Sequence, residues 1–485
     1  MSTDAVRTDP WSRFQCGTTA ERLALIVDPQ TRELLAPRLG ADAVRGYLDL
    51  ASRLPRGTHL GDDAVPNLVF VPGVMGSVLA SRGLGGVWWL DVRTAKRLDR
   101  LRLSDDGSGD ATAGARVEAV AVDASYDAFC TAALAQPDLG HVTFPYDWRR
   151  PVPAVAGELA ELVRVTFDAN GNRPVHLVAH SMGGLVVREA LRADPDLWAR
   201  VGRIAFIATP HYGSPAIAGY LKNHLWGFEL LALLGRYMSR ETLRSMWGVL
   251  DLLPAPSGVY PGSLPGDPGS HPCANFDLYD AVAYQLDLPE AERARLQRVL
   301  DGARAFHTEL AGWHRSLPQE RRDRMLVVAG VGYKTLFRLA YQPAFGFLWE
   351  HMDRMTRRQP GNVHREGDGR VPLASAQLEN VGATHYVRGE HGALPAVAAV
   401  QDAVFAWLRG RPIKLPGTPA AALSATLGAE DSQVEAPALA VAHRPAAVDD
   451  PGYLQLDPPD EDVLRAREED VEADRLPRFA RVKVL

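Results

Sequence analysis

Near its middle the chain reads Leu177-Val178-Ala179-His180-Ser181-Met182-Gly183. The apolar run 175–179 predicts a strand, and residues 184–191 directly after this stretch are compatible with a helix. A serine between a strand and a helix, with small residues two places before and after it, is typical of a nucleophile elbow. Ala179 and Gly183 fill those places. The alternative is an ordinary turn in which Ser181 caps the helix. The pattern indicates Ser181 as a nucleophile.

Strand and helix patterns alternate on both sides of this stretch. Predicted strands cover 67–71, 141–144, 203–208, 325–329 and 384–387, and predicted helices cover 123–135, 154–166 and 396–408. This alternation predicts an α/β fold with a mostly parallel central sheet covered on both faces. Residues 211–323 break the alternation, and we expect a large insertion over the carboxyl edge of the sheet, where such folds place their sites.

A serine hydroxyl needs a histidine to take its proton and a carboxylate to orient that histidine. In this kind of fold they follow in the order serine, acid, histidine, on loops after later strands. Asp368 lies between Gly367 and Gly369, and His391 directly follows the predicted strand 384–387 across Gly389-Glu390. We therefore predict Asp368 and His391 as the catalytic acid and base.

Other residues compete for these two roles. Asp353 and Glu366 are alternative acids, but neither lies between two glycines. His385 falls inside a strand-like run, and His364 precedes the predicted acid. A structural role is the commoner fate of a single histidine, whereas the combination of elbow, acid loop and histidine in this order is specific.

An oxyanion forming on the substrate needs two backbone donors, one after the nucleophile and one in the loop after an early strand. The first is the N–H of Met182. The second is expected in Pro72-Gly73-Val74-Met75-Gly76, where we predict Met75 as the donor. Taken alone, this loop also fits a glycine-rich turn without function.

Several motifs occur together in one order. They are Pro72-Gly73-Val74-Met75-Gly76-Ser77, Trp88-Trp89, Tyr146-Asp147-Trp148-Arg149, the Ala-His-Ser-Met-Gly elbow, Thr209-Pro210-His211-Tyr212-Gly213-Ser214, Gly367-Asp368-Gly369-Arg370-Val371-Pro372 and Glu390-His391. This series, over roughly 67–410, resembles the lecithin:cholesterol acyltransferase-like family of α/β-hydrolases, which has phospholipase A and acyltransferase members. The resemblance implies an α/β-hydrolase fold, Ser181, Asp368 and His391 as the triad, and Met75 and Met182 as oxyanion donors. It also implies a cap or lid at 211–323.

The same motifs provide residues for a substrate pocket, for which we predict Trp88, Trp89, His211 and Tyr212. Asp147 and Arg149 are interpreted as a structural ion pair. The side chain of His180 is expected to point away from the site and to serve packing.

The chain divides into three predicted parts. Residues 1–64 form a mostly helical N-terminal extension, 65–410 the α/β-hydrolase domain with its cap, and 411–485 a tail that is rich in proline and alanine and then acidic. The tail is interpreted as disordered or loosely attached, or as an arm that binds a protein partner.

Composition excludes other classes of function. The 485 residues include 46% hydrophobic and 23% charged residues with a net charge of −6, which is ordinary for a globular protein and gives no basis for nucleic-acid binding. The three cysteines, Cys16, Cys130 and Cys273, are too far apart for a disulfide framework or a CxxC metal site. We expect no metal or cofactor, and the absence of a signal-like N-terminus predicts a cytoplasmic location.

The leading hypothesis is a serine hydrolase or acyltransferase that cleaves acyl esters, with lipids as the expected substrates and Ser181 carrying the acyl group. An amphipathic stretch within 217–234 would allow transient contact of the cap with a membrane surface. A thioesterase or non-lipid carboxylesterase is the alternative enzyme. An interaction protein that uses the hydrolase scaffold and the acidic tail is the alternative from another class.

Overall fold

The computed structural model describes most of the chain. The described residues are 9–55, 66–89, 98–222, 239–263, 271–272, 277–338 and 363–425, with two short strands at 446–447 and 454–455. Residues 223–234 of the predicted amphipathic stretch and most of the predicted tail lie outside them.

Strands and helices alternate through the central part of the chain. The strands are β1 (Pro66–Val71), β2 (Ser77–Ser81), β3 (Val87–Trp89), β4 (Val117–Val122), β5 (Gly140–Thr143), β6 (Val175–His180), β7 (Val201–Ile207), β8 (Met325–Val331), β9 (Tyr333–Arg338), β10 (Val363–Gly367), β11 (Ala383–Arg388), β12 (Ala446–Ala447) and β13 (Leu454–Gln455). The helices are α1 (Pro10–Cys16), α2 (Thr19–Val27), α3 (Pro29–Leu39), α4 (Ala41–Ser52), α5 (Asp127–Leu134), α6 (Val152–Ala169), α7 (Gly183–Ala193), α8 (Ala216–Lys222), α9 (Arg240–Arg244), α10 (Trp247–Leu250), α11 (Glu290–Ser316), α12 (Gln319–Arg322), α13 (Leu373–Ala376), α14 (Ala398–Leu408) and α15 (Pro419–Ser424).

Six of these strands form a parallel sheet in the order β11-β8-β7-β6-β1-β5. Its four inner strands, β8, β7, β6 and β1, are mostly apolar on both faces. In β1, Val69 and Val71 face one hydrophobic core, whereas Leu68 and Phe70 face another. This alternation follows from the two-residue period of a strand between two layers of helices.

Helices cover both faces of the sheet. α6 and α7 contribute to the first core, and α5 and α14 contribute to the second. The predicted fold class is confirmed: the molecule has the mostly parallel sheet and two helical layers of an α/β-hydrolase.

The segment between β7 and β8 has two parts. Its first residues lie at the carboxyl ends of the strands, since the backbone N–H of Ser214 bonds the carbonyl of Leu252 and its hydroxyl bonds the carbonyl of Arg370. The long helix α11 instead runs beside α7, where Glu309 pairs with Arg192 at 3.2 Å. Not all of the predicted cap segment therefore lies over the site.

Two small antiparallel arrangements accompany the main sheet. β2 pairs with β3 and β4, and β9 pairs with β10. The sequence analysis predicted neither of them. The strands of the first lie in or beside a polar, glycine-rich stretch, and β3 has only three residues. Within the described residues, no helix combines the length and apolar character needed to cross a bilayer.

The N-terminal helices α1 to α4 pack around a hydrophobic core of their own, against which Ala128 and Leu134 of α5 also pack. A buried carboxylate joins the two units. Asp127 accepts hydrogen bonds from both Nε and Nη2 of Arg22, at 2.8 and 2.6 Å, from the hydroxyl of Thr19 at 2.6 Å and from the hydroxyl of Tyr47 at 2.7 Å. Asp127 and Arg22 are almost fully buried, so the N-terminal helices are fixed to α5.

Replacing this carboxylate should destabilise the protein strongly. Asp127→Ala would leave the guanidinium of Arg22 buried without its partner, for which we expect a loss of about 3–5 kcal/mol in the free energy of unfolding. Asp42→Ala is the control, since Asp42 pairs with Arg45 on the exposed face of α4, and its loss should cost less than about 1 kcal/mol. Denaturant unfolding followed by tryptophan fluorescence measures both. Equal effects would contradict the assigned role of Asp127.

Candidate active site

Ser181 lies in the sharp turn between β6 and α7, at the carboxyl edge of the sheet. Its φ angle is 53°, in the left-handed region that a residue with a side chain seldom adopts. The turn is held by hydrogen bonds from the N–H of Ser181 to the carbonyl of Ile207 and from the N–H of Gly184 to the carbonyl of Ser181, both of 3.0 Å. Such strain is characteristic of functional positions.

The residues around the turn must be small. A Cβ atom added to Gly183 would lie 2.5 Å from the carbonyl oxygens of both Val71 and Pro72. One added to Gly73 would lie 2.9 Å from the Cβ of Ser181. The end of β1 and the start of α7 therefore approach each other as closely as their backbones allow.

The structure brings the three residues of the predicted triad together. The hydroxyl oxygen of Ser181 lies 2.9 Å from Nε2 of His391, and Nδ1 of His391 lies 2.8 Å from Oδ2 of Asp368. All three residues are buried, with exposed fractions of 3% or less. A serine, an imidazole and a carboxylate in this order have the geometry needed for proton transfer from the hydroxyl.

The loop after β10 fixes the direction of these hydrogen bonds. Oδ1 of Asp368 accepts from the N–H groups of Arg370 and Val371, at 3.0 and 2.7 Å, which leaves Oδ2 for His391. Because the carboxylate only accepts, Nδ1 of His391 carries the proton and Nε2 can accept the proton of Ser181. The N–H of His391 also bonds the carbonyl of Asp368, at 3.0 Å.

Close packing places the carboxylate. Gly369 adopts a φ of 89°, which lets the chain turn back after Asp368. A Cβ on Gly330 of β8 would lie 2.6 Å from the Cβ of Asp368. The glycine at 330, which the sequence analysis did not single out, is therefore needed for the acid to reach the histidine.

The alternative candidates for the catalytic acid and base take other positions or lie outside the described residues. His385 lies within β11, and its Nδ1 bonds the carbonyl of Leu415 at 2.8 Å. Glu366 lies within β10, two residues before Asp368. Asp353 lies outside the described residues, and so does the side chain of His364.

Residues 72–76, which we call the oxyanion loop, pass directly beside Ser181. The N–H of Gly76 bonds the carbonyl of Gly73, and Met75 has a φ of 60°. The N–H groups of Val74, Met75 and Met182 have no hydrogen-bond acceptor among the described residues. Both predicted donors thus have N–H groups available, and Val74 offers a third.

A small cavity of about 20 Å³ lies next to Ser181 and His391. It has room for about one water molecule. Its walls include Val74, Pro210, Ile217 and Leu252 and are mostly apolar. Of the oxyanion loop, Val74 rather than Met75 lines this cavity.

The four predicted pocket residues lie away from this cavity. Trp88 and Trp89 are buried in the hydrophobic core, where Nε1 of Trp89 donates to the carbonyl of Met75 at 3.0 Å. Trp89 therefore supports the oxyanion loop from behind. His211 packs its buried ring edge-on against Phe206, and the N–H of Tyr212 bonds the hydroxyl of Ser375.

Two structural interpretations from the sequence can be compared with the structure. Arg149 pairs with Asp147 at 2.6 Å in a buried ion pair, as predicted. His180 does more than pack: its ring bonds both Tyr126 and the carbonyl of His391. The sequence offered no signal for these bonds, since residue 126 is 54 positions away from His180 and residue 391 is 211 positions away.

Comparison with known proteins gives a family match over part of the chain. Residues 136–259, which contain the elbow, match the model of the lecithin:cholesterol acyltransferase family. Over these residues the chain is similar to the lecithin:cholesterol acyltransferase family of α/β-hydrolases. The resemblance seen in its motifs is thereby confirmed.

Further similarities to known proteins are limited in length or in sequence identity. Protein SERAC1 of Danio rerio is 40% identical over 81 residues, a match that spans 14% of this chain and only 12% of the relative. The structure of the Tle4–Tli4 complex is 13% identical, with a TM-score of 0.43, over 71% of this chain and 96% of the other. Bacillus licheniformis lipase BlEst2 in its mature form is 15% identical, with a TM-score of 0.33, over 68% and 86% of the two chains.

The close approach at the elbow can be tested. Gly183→Ala should displace Ser181, because the new methyl group would overlap the carbonyl oxygens of Val71 and Pro72. We expect a destabilisation of about 1–3 kcal/mol. Gly157→Ala is the control, since Gly157 is an exposed residue of α6 with open space around its Cα, and alanine there should be neutral or stabilising by up to about 1 kcal/mol. Thermal unfolding of both variants measures the difference; an unaffected Gly183→Ala protein would contradict the packing described here.

Proposed function

We propose that this chain is a serine ester hydrolase or O-acyltransferase that acts on lipid acyl esters, in the manner of a phospholipase A, through an acyl-enzyme on Ser181. The observation that carries the proposal is the hydrogen-bonded series Ser181–His391–Asp368, buried at the carboxyl edge of an α/β sheet. The match to a family named for acyl transfer from lecithin supports the lipid class of substrate.

The reaction proceeds in two halves. The hydroxyl oxygen of Ser181 attacks the ester carbonyl while Nε2 of His391 takes its proton, which gives a tetrahedral oxyanion. When this intermediate collapses, His391 returns the proton to the departing alcohol and the acyl group stays on Ser181. Water or a second alcohol then attacks the acyl-enzyme by the same route, with His391 as base and then acid. Asp368 holds the imidazole in orientation and stabilises its protonated form.

Backbone N–H groups would stabilise the oxyanion. Met182 offers one at the start of α7, where the positive end of the helix dipole adds to the effect. The second comes from the oxyanion loop, where Met75 and Val74 both have N–H groups available. Each such donor is worth roughly 10²–10³ in turnover.

The cavity beside Ser181 and His391 is small. Because about 20 Å³ holds one water molecule and no acyl chain, a lipid ester would need more room beside Ser181 than this cavity offers. The apolar side chains of Ile217 and Leu252 would then face the acyl chain. Contact of the cap with a membrane surface, a protein partner for the tail and a cytoplasmic location stay predictions from the sequence.

Substitution of the nucleophile tests the proposal. Ser181→Ala should lower ester cleavage by about 10⁶-fold, and Asp368→Asn by about 10⁴-fold. Ser52→Ala is the control, because Ser52 is an exposed residue at the end of α4. Mass spectrometry of a phospholipid panel, together with nitrophenyl esters of increasing chain length, measures the activity and the acyl preference.

The same experiment separates the competing functions. Preference for long chains supports a lipid substrate, whereas activity confined to short esters or to thioesters would favour the non-lipid alternatives. Full activity in Ser181→Ala would eliminate the mechanism. A fluorophosphonate probe can be applied to the intact protein with and without detergent. If it labels Ser181 under neither condition, the chain is better explained as an interaction protein on a hydrolase scaffold.

A further inference from the structure

Three hydrogen bonds connect the oxyanion loop to the loop that carries His391. The N–H of Gly73 donates to the hydroxyl oxygen of Tyr126 at 2.9 Å. That hydroxyl lies 2.8 Å from Nδ1 of His180, and Nε2 of His180 lies 3.1 Å from the backbone carbonyl of His391. Residues 389–394, here called the histidine loop, are thus linked to the oxyanion loop through the residue next to Ser181.

The chemistry of the partners fixes the direction of every bond in this series. The N–H of Gly73 can only donate, so the oxygen of Tyr126 accepts from it. The carbonyl of His391 can only accept, so Nε2 of His180 carries a proton. A neutral imidazole then has Nδ1 as its acceptor, which receives the hydrogen of Tyr126. Donors and acceptors therefore alternate without interruption from one loop to the other.

Both side chains stay neutral over the ordinary range of pH. Burial raises the pKa of Tyr126. Burial, and then the nearby ring of His391, lower the pKa of His180 well below its usual value. The two residues are 3% and 1% exposed. Neither takes part in proton exchange with solvent, so the series persists while His391 gains and loses its proton.

We propose that Tyr126 and His180 are positioning residues that hold the oxyanion loop and the histidine loop at a fixed separation around Ser181. This inference rests on the proposed ester chemistry. The two loops follow different strands, β1 and β11, and the acyl carbonyl must meet both the oxyanion donors and Nε2 of His391 at once.

The surroundings of the two rings leave little freedom for adjustment. A Cβ on Gly73 would lie 3.1 Å from the hydroxyl of Tyr126 and 3.3 Å from Nδ1 of His180. The ring of His180 is 5.5 Å from that of Tyr126 and 4.9 Å from that of His391. Asp127, bonded to Arg22, directly follows Tyr126 and fixes its backbone. This series of hydrogen bonds, from here on called the relay, therefore starts from a rigid support.

Loss of the Tyr126 hydroxyl should impair catalysis more than substrate binding. Oxyanion donors act only when charge develops on the substrate, so their displacement lowers kcat and leaves KM nearly unchanged. For Tyr126→Phe we expect kcat to fall roughly 10- to 100-fold, the size of effect that a displacement near 1 Å produces. KM should stay within about twofold of that of the unaltered protein.

A matched control separates positioning from lost stability. Tyr284, like Tyr126, is a buried tyrosine with a hydrogen-bonded hydroxyl; it donates to the backbone carbonyl of Leu278 at 2.6 Å, far along the chain from residues 73, 126, 180 and 391. Tyr284→Phe should lower the unfolding temperature comparably and leave kcat unchanged. His180→Gln, which can still donate to the carbonyl of His391, should retain more activity than His180→Leu.

A double substitution tests whether the two residues act as one unit. If they do, Tyr126→Phe should lower kcat less in the His180→Leu background than in the unaltered protein. Simple multiplication of the two separate effects, or equal kcat values for Tyr126→Phe and Tyr284→Phe, would overturn the proposal.

Amide hydrogen exchange tests the relay without the need for a substrate. Tyr126→Phe should accelerate amide exchange in both the oxyanion loop and the histidine loop, while Tyr284→Phe should affect neither. Unchanged exchange in the histidine loop refutes the relay even if the protein hydrolyses esters. Faster exchange in both loops, in a protein that cleaves no ester and is not labelled at Ser181, would instead leave the relay standing and refute the proposed function.

Discussion

The strained backbone at Ser181 is the constraint on which the rest of the site depends. A residue with a φ of 53° persists only where its neighbours leave the chain no alternative. Here β6 pairs with β1 on one side and β7 on the other, and α7 starts so close to the end of β1 that no Cβ fits at Gly183. The backbone conformation of the elbow is therefore determined by the sheet and not by the local turn alone. The loops that bring Asp368 and His391 to it are placed relative to the same strands.

Much of this arrangement can be predicted from the sequence, because it is encoded over short distances. A fully buried parallel strand is a run of apolar residues, and the four inner strands of the main sheet, β1, β6, β7 and β8, contain such runs. Ser181 is flanked by the small residues that a tight turn requires. Asp368 lies between two glycines, one of which adopts a φ of 89°. In each case the physical requirement and the residue that meets it are only a few positions apart.

The remaining features depend on contacts between distant parts of the chain. Gly330 is one residue of an apolar strand, and nothing near it in sequence shows that the Cβ of Asp368 will pack against it. His180 was interpreted as packing because a residue next to the nucleophile points to the opposite side; its partners are known only once the fold joins residues 73, 126 and 391. Trp88 and Trp89 were predicted to line a pocket, yet aromatic side chains of this size are also the ones that a large core buries most readily. A motif gives the identity of its residues but not the direction of their side chains.

The hydrogen bonds from Arg22, Thr19 and Tyr47 to Asp127 have a consequence for the role of helices α1 to α4. These helices share apolar surface with α5, and three of their side chains donate four hydrogen bonds to a carboxylate that is buried from water. A shortened protein that begins at β1 would have to bury that charge alone and expose the flank of α5 to solvent. Shared apolar surface and a buried ion pair therefore join the helical layer to the sheet through α5, and removal of the layer would expose both.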